Sequence, residues 1–260
     1  MSIIDDDQTE DLWGYAKRLR FVRETIRATF PKRAPHSLTV LDVGCGNGSQ
    51  LALPLAMKDG FQLTGLDTDS CSIEHARRLA GPRANIDFVC GSVDDLSSEK
   101  LFDVVILSEV LEHLEQPVDL LTMSARRMAV NGILIVTVPN GYGEFEIDSW
   151  IFRKLRLQKI AEALAEKHEV LGATDNQESG HIQFFTRSRL RSLFDDAGLV
   201  SFREVAGSLM TGPIVGHVLA RSKRLIDWNA RVTDRLPLIL ASGWYFALRS
   251  VERKTTGGSV

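Results

Sequence analysis

Short apolar segments alternate with amphipathic helical stretches along the first half of the chain, and this order constrains the fold more than any other feature. Apolar strands separated by helices are typical of a mostly parallel sheet covered by helices on both faces. The predicted strands are SLTVLDVG (37–44), FQLTGLD (61–67), IDFVC (86–90), FDVVILS (102–108) and GILIVTV (132–138). The predicted helices between them are 50–58, 70–80 and 117–129. We therefore predict an α/β fold.

A helix precedes this alternation, and two segments of different character interrupt it. Apolar residues recur at three- and four-residue steps over residues 11–30, which predicts an amphipathic helix. The predicted domain organisation is a single domain, 1–260, with an N-terminal helical element (1–35), a core (36–140), a cap insertion (141–181), more core (182–205), a second cap insertion (206–240) and a last core strand (241–252). Helix 186–197 and strand 199–205 are predicted within the second part of the core.

Length, composition and charge exclude several classes of protein. A chain of 260 residues with 44% hydrophobic content is long enough to bury a substantial core. The formal net charge of -3 gives no general nucleic-acid-binding surface. Basic residues cluster in KRLRFVR (17–23) and FRKLRLQK (152–159), and we interpret both clusters as solvated helix faces.

Cysteine usage and apolar runs indicate a cytoplasmic protein. The three cysteines, Cys45, Cys71 and Cys90, form no CxxC pair and have no zinc-type spacing, so they predict neither a disulfide framework nor a zinc site. The first ten residues, MSIIDDDQTE, are acidic and lack the apolar stretch of a secretion signal. The longest apolar run, LPLILASGWYFAL (236–248), is too short to span a bilayer and is predicted to be buried.

A glycine-rich turn, VLDVGCGNGSQ (40–50), follows the first predicted strand. Glycine permits positive φ and lets a ligand approach the backbone. The spacing of Gly44, Gly46 and Gly48 is GxGxG, whereas the dinucleotide fingerprint is GxGxxG. Asp42 would repel a pyrophosphate but attract an amine, and Asp67, at the end of the second strand, is placed to accept hydrogen bonds from a ribose. A ligand with a ribose and an ammonium but no phosphates is S-adenosylmethionine.

These motifs together resemble the class I S-adenosylmethionine-dependent methyltransferases. The resemblance rests on five motifs in order: DVGCGNG (42–48), GLDTD (65–69), FVCGSVDDL (88–96), FDVVILSEVLEHL (102–114) and GILIVTVPN (132–140). Within that class, the chain is similar to the subgroup of ubiquinone-pathway O-methyltransferases and sugar or glycan methyltransferases. The segment SGHIQFFTRSRLRSLFDDAGL (179–199) also resembles the corresponding part of that subgroup. The resemblance implies a Rossmann-like, seven-stranded sheet, mostly parallel with an antiparallel last strand, and a helical cap formed by the two insertions.

The resemblance also implies a set of donor-binding residues. They are Asp42, Gly44, Cys45, Gly46, Asn47, Asp67, Thr68, Ser92, Val93, Asp94 and Ser108. One departure from the family affects this set. Many relatives have aspartate where this chain has Ser92, so the contact to the adenine amino group passes to Asp94 or to the backbone around Val93.

Two histidines are predicted to be catalytic in the O-methylation of a small molecule, a glycan or a lipid-like acceptor. A hydroxyl acceptor must lose a proton during in-line transfer, and a histidine is suited to accept it at neutral pH. His113 follows the fourth strand, and ligands of open α/β sheets bind outside the carboxyl ends of strands. His181, after the polar run GATDNQESG (172–180), is the second candidate base.

SEVLEHLEQP (108–117) supports a second interpretation. On a helix, Glu109, Glu112 and His113 would share one face. With His181 they resemble the metal-binding residues of small-RNA 2'-O-methyltransferases, in which glutamates and histidines hold a divalent ion. Such a mixed oxygen and nitrogen ligand set would favour manganese, iron or zinc over magnesium. The metal-free interpretation is simpler, and it is the one we adopt.

Other functions remain open from sequence alone. The acceptor atom is predicted to be oxygen, with N- or C-methylation, RNA 2'-O-methylation and a non-catalytic donor-binding domain as alternatives. The acidic net charge disfavours nucleic acid as a partner. Apolar residues of the predicted cap suggest peripheral membrane contact, and these are Trp150, Ile151, Leu236 and Ile239. Neither the acceptor nor the oligomeric state is marked by a recognisable motif.

Overall fold

Seven strands form one sheet in the computed structural model, which describes residues 14–140, 182–207 and 241–251. The strands are β1 (Thr39–Val43), β2 (Gln62–Asp67), β3 (Ile86–Cys90), β4 (Phe102–Ser108), β5 (Met128–Pro139), β6 (Leu199–Ala206) and β7 (Gly243–Ser250). Their order across the sheet is β3-β2-β1-β4-β5-β7-β6. Strands β1 to β5 pair in parallel, whereas β7 is antiparallel to both β5 and β6. The predicted fold and its antiparallel last strand are confirmed.

Five helices of the described residues cover this sheet. They are α1 (Tyr15–Thr29), α2 (Ala52–Met57), α3 (Ser70–Ala80), α4 (Pro117–Arg126) and α5 (Arg187–Asp196). The predicted cap insertion 141–181 lies outside the described residues, as does all but the first two residues of the insertion 206–240. Those cap boundaries therefore stay predictions.

The sheet separates two apolar cores. Alternate residues of the central strands point to opposite faces, so Val104 and Ile106 of β4 pack in one core and Val105 and Leu107 in the other. Residues of α1, α2 and α3 contribute to the first core, and residues of α4 and α5 contribute to the second. Because both faces are covered, β4 is buried along almost its whole length, as its continuous apolar sequence predicts.

Helix α4 is shorter than predicted. The helix predicted over 117–129 ends at Arg126, because β5 already begins at Met128. Met128 pairs with Phe102, and the register then shifts before Val104 pairs with Ile133. Residues 128 and 129, whose apolar spacing alone favours continuation of the helix, therefore belong to strand β5.

The basic cluster 17–23 is not a solvated helix face, and that prediction is wrong. Lys17, Arg18 and Arg23 are buried on α1. Lys17 donates a hydrogen bond from Nζ to the carbonyl oxygen of Gly207 at 3.1 Å, and Arg23 pairs with Asp59 at 2.6 Å. Helix α1 therefore packs these three charged side chains inward. The second basic cluster, 152–159, lies outside the described residues.

No helix among the described residues is both long and apolar enough to cross a membrane. The apolar residues at the end of the long apolar run belong to β7, where Trp244, Tyr245 and Phe246 are buried in the sheet. The residues predicted to contact a membrane, namely Trp150, Ile151, Leu236 and Ile239, all lie outside the described ranges.

Candidate active site

The glycine turn lies at the carboxyl end of β1 and is fixed to β2 by backbone hydrogen bonds. The amides of Gly44 and Cys45 both donate to the carbonyl oxygen of Leu66, at 2.7 and 3.1 Å. Gly44 has φ +71°, and a Cβ added there would lie 2.5 Å from a methyl carbon of Val110. Gly46 also has positive φ, +53°, but apart from its chain neighbours no heavy atom of the described residues lies within 4 Å of its Cβ position. The first glycine thus permits close packing inside the protein, whereas the second faces open space that a ligand can use.

Asp67 connects the glycine turn to the end of β2. Its Oδ2 accepts a hydrogen bond from the amide of Gly46 at 2.7 Å, and its Oδ1 accepts one from the amide of Asp69 at 2.9 Å. Asp69 in turn caps α3 by accepting from the amides of Cys71 and Ser72. A carboxylate has about four acceptor sites, so Asp67 retains capacity for the hydroxyls of a ribose.

Asp42 is a buried carboxyl group behind this turn. Burial, and then repulsion from Asp67, raise its pKa to about 7, although the positive charge of Arg18 acts in the opposite direction. Burial also raises the pKa of the Cys45 thiol, with further contributions from Asp42 and Asp67. A cationic group placed near Asp42 would stabilise its ionised form, which is the property expected of a site that receives an ammonium.

Asn47 has a local structural role in the glycine turn. Its Oδ1 accepts hydrogen bonds from the amide of Ser49 at 3.1 Å and from the hydroxyl of Ser49 at 2.7 Å. These bonds close an Asx turn that leads towards α2. Because Oδ1 is used in this turn, the predicted contact of Asn47 with the donor would be made by its side-chain nitrogen or its main chain.

The region predicted to contact adenine is arranged around Asp95 and not Asp94. The Ser92 amide and hydroxyl both donate to Asp95 Oδ2, at 2.7 and 2.9 Å, which closes a capping box on the short 3₁₀ turn Val93–Asp95. These hydrogen bonds lower the pKa of Asp95. Val93 is buried, whereas Asp94 is exposed. Thr68, exposed after β2, accepts a weak contact from the Cys90 thiol at 3.8 Å through its carbonyl oxygen.

The end of β4 carries a closed ring of polar contacts. Arg18 donates from Nη1 to the Ser108 hydroxyl at 3.3 Å, and the Ser108 and Thr137 hydroxyls lie 3.1 Å apart. Thr137 donates to Glu109 Oε1 at 2.9 Å, and this oxygen lies 3.4 Å from Arg18 Nη2. Burial alone would lower the pKa of Arg18, but the charge of Glu109 and the neighbouring tyrosines outweigh it, so the pKa is raised and Arg18 stays charged.

Sequence reasoning missed Arg18 as a residue of this edge. It lies 90 positions from Ser108 along the chain, and its side chain is only 8% exposed. The only sequence signal is that Arg18 occurs between the apolar residues Ala16 and Leu19, on the side of α1 that its periodicity predicts to be buried.

Glu109, Glu112 and His113 do not share a helical face, and that prediction is wrong. Glu109 has a left-handed backbone, with φ +55°, and its amide donates to the Thr137 carbonyl oxygen at 3.0 Å. The following residues form a short 3₁₀ turn, Leu111–His113, in place of an α-helical turn. Non-glycine residues in this backbone region are uncommon, and they cluster at functional sites.

Glu112 is the most deeply buried acid of this turn. Its side chain is 1% exposed, and neither carboxyl oxygen has a hydrogen-bond partner in the described part of the chain. Burial, and then the neighbouring charge of Glu109, raise its pKa well above the usual range. His113 is one third exposed, and its Nε2 lies 3.9 Å from Glu112 Oε1. His113 is therefore partly exposed with a buried Nδ1, and Glu112 faces the interior.

The segment before α5 is hydrogen-bonded to this turn. The amides of Ile182 and Gln183 both donate to the carbonyl oxygen of Glu112 at 3.1 Å. The second predicted base, His181, precedes Ile182 in sequence and lies outside the described residues. Its catalytic role stays a prediction.

The described residues do not by themselves form the metal site of the alternative interpretation. No group of three His, Cys, Asp or Glu side chains among them could hold a metal ion. Glu109 Oε1 is engaged by Thr137 and Arg18, whereas Glu112 points into the interior. His181, the fourth residue of that interpretation, is outside the described ranges.

The same edge does fit the predicted donor. The open space at Gly46, the remaining acceptor capacity of Asp67 and the buried Asp42 lie at the carboxyl ends of β1 and β2. Because β1 and β4 pair in parallel, with Val43 opposite Leu107, the polar ring at Ser108 and Glu109 lies at the same edge of the sheet. This is the crevice in which open α/β sheets bind ligands.

Comparison with known proteins identifies the sequence family. The profile of a family described as a methyltransferase domain matches residues 13–201. The ubiquinone biosynthesis O-methyltransferase of Rickettsia akari (strain Hartford) is 35% identical over 124 residues, which cover 47% of this chain and 48% of the relative. The enzyme of the same name from Rickettsia canadensis (strain McKiel) is also 35% identical over 124 residues, covering 47% of this chain and 51% of the relative. The chain thus spans about half the length of the curated relatives it matches.

Solved structures share the fold at low sequence identity. The magnesium protoporphyrin IX methyltransferase from Synechocystis PCC 6803, solved with bound SAH, aligns with a TM-score of 0.56 at 16% identity. The alignment covers 90% of this chain and 82% of that chain. At this identity the likeness establishes the fold alone.

Proposed function

This chain belongs to the methyltransferase-domain family, and from that premise we propose that it transfers a methyl group from S-adenosylmethionine to a hydroxyl of a small-molecule, glycan or lipid-like acceptor. The observation that carries the proposal is the shared edge of the sheet. There the open glycine turn with Asp67 meets the turn that presents His113, and both lie at the carboxyl ends of parallel strands.

Residues of β1 and β2 would hold the donor. When bound, S-adenosylmethionine supplies a methyl group that is already activated by the positive charge on sulfur. Asp67 would accept hydrogen bonds from the ribose hydroxyls with the capacity that the Gly46 and Asp69 amides leave free. The ionised form of Asp42 would attract the ammonium, and the charged Arg18 would attract the carboxylate.

His113 would accept the proton that the acceptor hydroxyl loses. The His113 side chain is one third exposed, and because its Nδ1 is buried, Nε2 is the ring nitrogen that would receive the proton. The neutral imidazole is the form that acts as a general base.

The hydroxyl acceptor is supported by the names of the relatives, since both Rickettsia proteins are called ubiquinone biosynthesis O-methyltransferases. For this chain the identity of the acceptor is part of the proposal. The acceptor classes to compare are therefore a prenylated catechol, a simple catechol and a methyl glycoside.

A binding experiment tests the donor site. Isothermal titration with S-adenosylhomocysteine should give at least 10-fold weaker binding for Asp67→Asn, because the neutral amide is a weaker acceptor for two ribose hydroxyls. Asp87→Asn is the matched control, since Asp87 is an exposed carboxylate on the neighbouring strand β3. Equal affinity of the two variants would argue against a ribose contact at Asp67.

A transfer experiment tests the chemistry. Radiolabelled methyl transfer to the three acceptors should occur with at least one of them, and His113→Gln should lower kcat by about 100-fold, as expected for loss of a general base. Full activity of His113→Gln would favour an amine or carbon acceptor. Donor binding without transfer to any acceptor would count against the proposed enzyme.

A further inference from the structure

The turn that carries His113 is held by a residue that is distant in sequence. Gln183 donates from Nε2 to the carbonyl oxygens of Leu114 and Glu115, both at 2.7 Å. Its main-chain amide and that of Ile182 donate to the carbonyl oxygen of Glu112. Three of the four carbonyl groups from Glu112 to Glu115 therefore accept hydrogen bonds from a two-residue segment.

The side-chain amide of Gln183 is itself held in one orientation. Arg189, in the first turn of α5, donates from Nη2 to Gln183 Oε1 at 2.5 Å. Exchange of the amide nitrogen and oxygen would point Oε1 at two carbonyl oxygens and the NH₂ group at a guanidinium, so only the observed orientation satisfies all partners. Arg189 is in turn placed by the ring of Phe185, 5.6 Å from its guanidinium carbon, and by the bond from its amide to the Thr186 hydroxyl.

The inner side of the turn has no comparable support. Neither carboxyl oxygen of Glu112 has a hydrogen-bond partner among the described residues, and His113 Nε2 is 3.9 Å from the nearer one. Side-chain hydrogen bonds to the turn from that side are therefore lacking in the part of the chain described. Its main chain is held by the bonds from His113 N to Val110 O and from Leu114 N to Leu111 O, and by the contacts with Ile182 and Gln183.

We propose that Gln183 is a positioning residue that fixes the main chain on both sides of His113 and so aims its imidazole at the acceptor. The inference rests on the proposed function, in which His113 is the base. In the described structure Gln183 hydrogen-bonds to the turn and to Arg189, and in this inference it acts by fixing the position of His113. A displacement of a catalytic group by about 1 Å can cost a rate factor of roughly 100.

Gln183→Ala should lower kcat for the simple catechol probe by about 10- to 100-fold. The donor KM should stay within about 3-fold, because the residues proposed to hold the donor belong to β1 and β2. Gln183→Glu keeps the size but lacks the amide N–H donors, so its kcat should fall by a similar factor. Gln116→Ala is the matched control. Gln116 is exposed and makes no side-chain cap bond at the start of α4, so its kcat should be unchanged.

Arg189→Ala should give a smaller fall in kcat, about 3- to 10-fold, since Gln183 then loses only its orienting partner. The double variant should be no worse than Gln183→Ala alone, because both residues act through the same bonds. Additive losses would show that Arg189 acts independently and would overturn this part of the network.

A readout that does not require turnover completes the test. The imidazole resonances of the six histidines can be followed by NMR through a pH titration, with His113 assigned from the signal missing in His113→Gln. Gln183→Ala should shift or broaden the His113 signal, and Gln116→Ala should not. An unchanged His113 titration in Gln183→Ala overturns the inference even when transfer activity is absent, whereas absence of transfer in the unmodified protein counts against the proposed function alone.

Discussion

The donor side and the acceptor side of the candidate site lie at one edge of the same sheet but are built differently. On the donor side, the polar groups of the glycine turn and Asp67 are satisfied by neighbours on adjacent strands. On the acceptor side, Glu109 has a left-handed backbone and Glu112 is buried without a hydrogen-bond partner in the described structure. The glycine turn and Asp67 are thus held by hydrogen bonds to nearby residues, whereas the acceptor turn is held by contacts from segments that are distant in sequence.

This difference suggests where each half obtains its rigidity. The glycine turn and Asp67 are fixed mainly by parallel strand pairing and local hydrogen bonds, although the charge of Arg18 from α1 also acts on Asp42. The acceptor turn is fixed by Arg18 from α1, Thr137 from β5 and Gln183 before α5. Changes far from the site in sequence should therefore affect the acceptor side more than the donor side.

The largest effect is expected where the two halves touch, at Gly44. Gly44→Ala would add a Cβ 2.5 Å from Val110 at a positive φ, so the free energy of unfolding should fall by about 3 kcal/mol. Urea denaturation measures this loss. Gly46→Ala also has positive φ but meets nothing within 4 Å, so it should cost only about 1 kcal/mol. Val110→Ala should recover part of the loss in Gly44→Ala, and failure to do so would show that the clash is not the cause.

The next effect concerns the buried charge that supports the acceptor turn. Arg18→Met should lower the free energy of unfolding by about 2 kcal/mol, less than for a fully buried ion pair because the Glu109 side chain is 31% exposed. Arg27→Met is the matched control on the same helix, where the arginine is 70% exposed and pairs with Asp59. It should cost under about 1 kcal/mol. Equal losses for the two variants would indicate that Arg18 contributes no more than a surface ion pair.

A smaller effect should appear in the pH dependence of donor binding. The pKa of Asp42 is raised to about 7, so binding a cationic ammonium beside it requires loss of a proton at lower pH. The affinity for S-adenosylhomocysteine should therefore rise by about 10-fold between pH 6 and pH 8. Titration calorimetry across this range measures it. Asp42→Asn should flatten the profile, and an unchanged profile would place the relevant titration on another group.

A further effect should be a change in the pH dependence of stability. The pKa values of Asp42 and Glu112 are raised in the folded protein, so it holds protons that the unfolded chain has released. Its free energy of unfolding should therefore fall as the pH rises from about 4 through 7. Glu112→Gln keeps the shape but cannot ionise, so the fall should be shallower. Urea denaturation at several pH values tests this, and a steeper fall in the variant would contradict the assignment.

Most of the fold follows from local sequence patterns. The bounds of α3, β3 and β4 match those predicted from apolar spacing, and the capping Asp69 explains why α3 begins where it does. The predicted sheet and family are confirmed, because five motifs in order can be recognised without knowledge of tertiary contacts. The end of α4 could not be predicted, since it depends on the pairing of Met128 with Phe102.

The sequence by itself predicted the glycine turn and the strand-end aspartates of the candidate donor side, since glycine spacing and strand ends are local features, but it gave no role to Arg18. Only the tertiary structure decided the acceptor side. In the folded chain, basic residues of α1 are buried. Glu109 has a left-handed backbone, so it does not share a helical face with Glu112. Gln183 donates a hydrogen bond to the turn of His113. These contacts join residues tens of positions apart, and no local periodicity encodes which distant side chain will reach a given carbonyl or carboxylate.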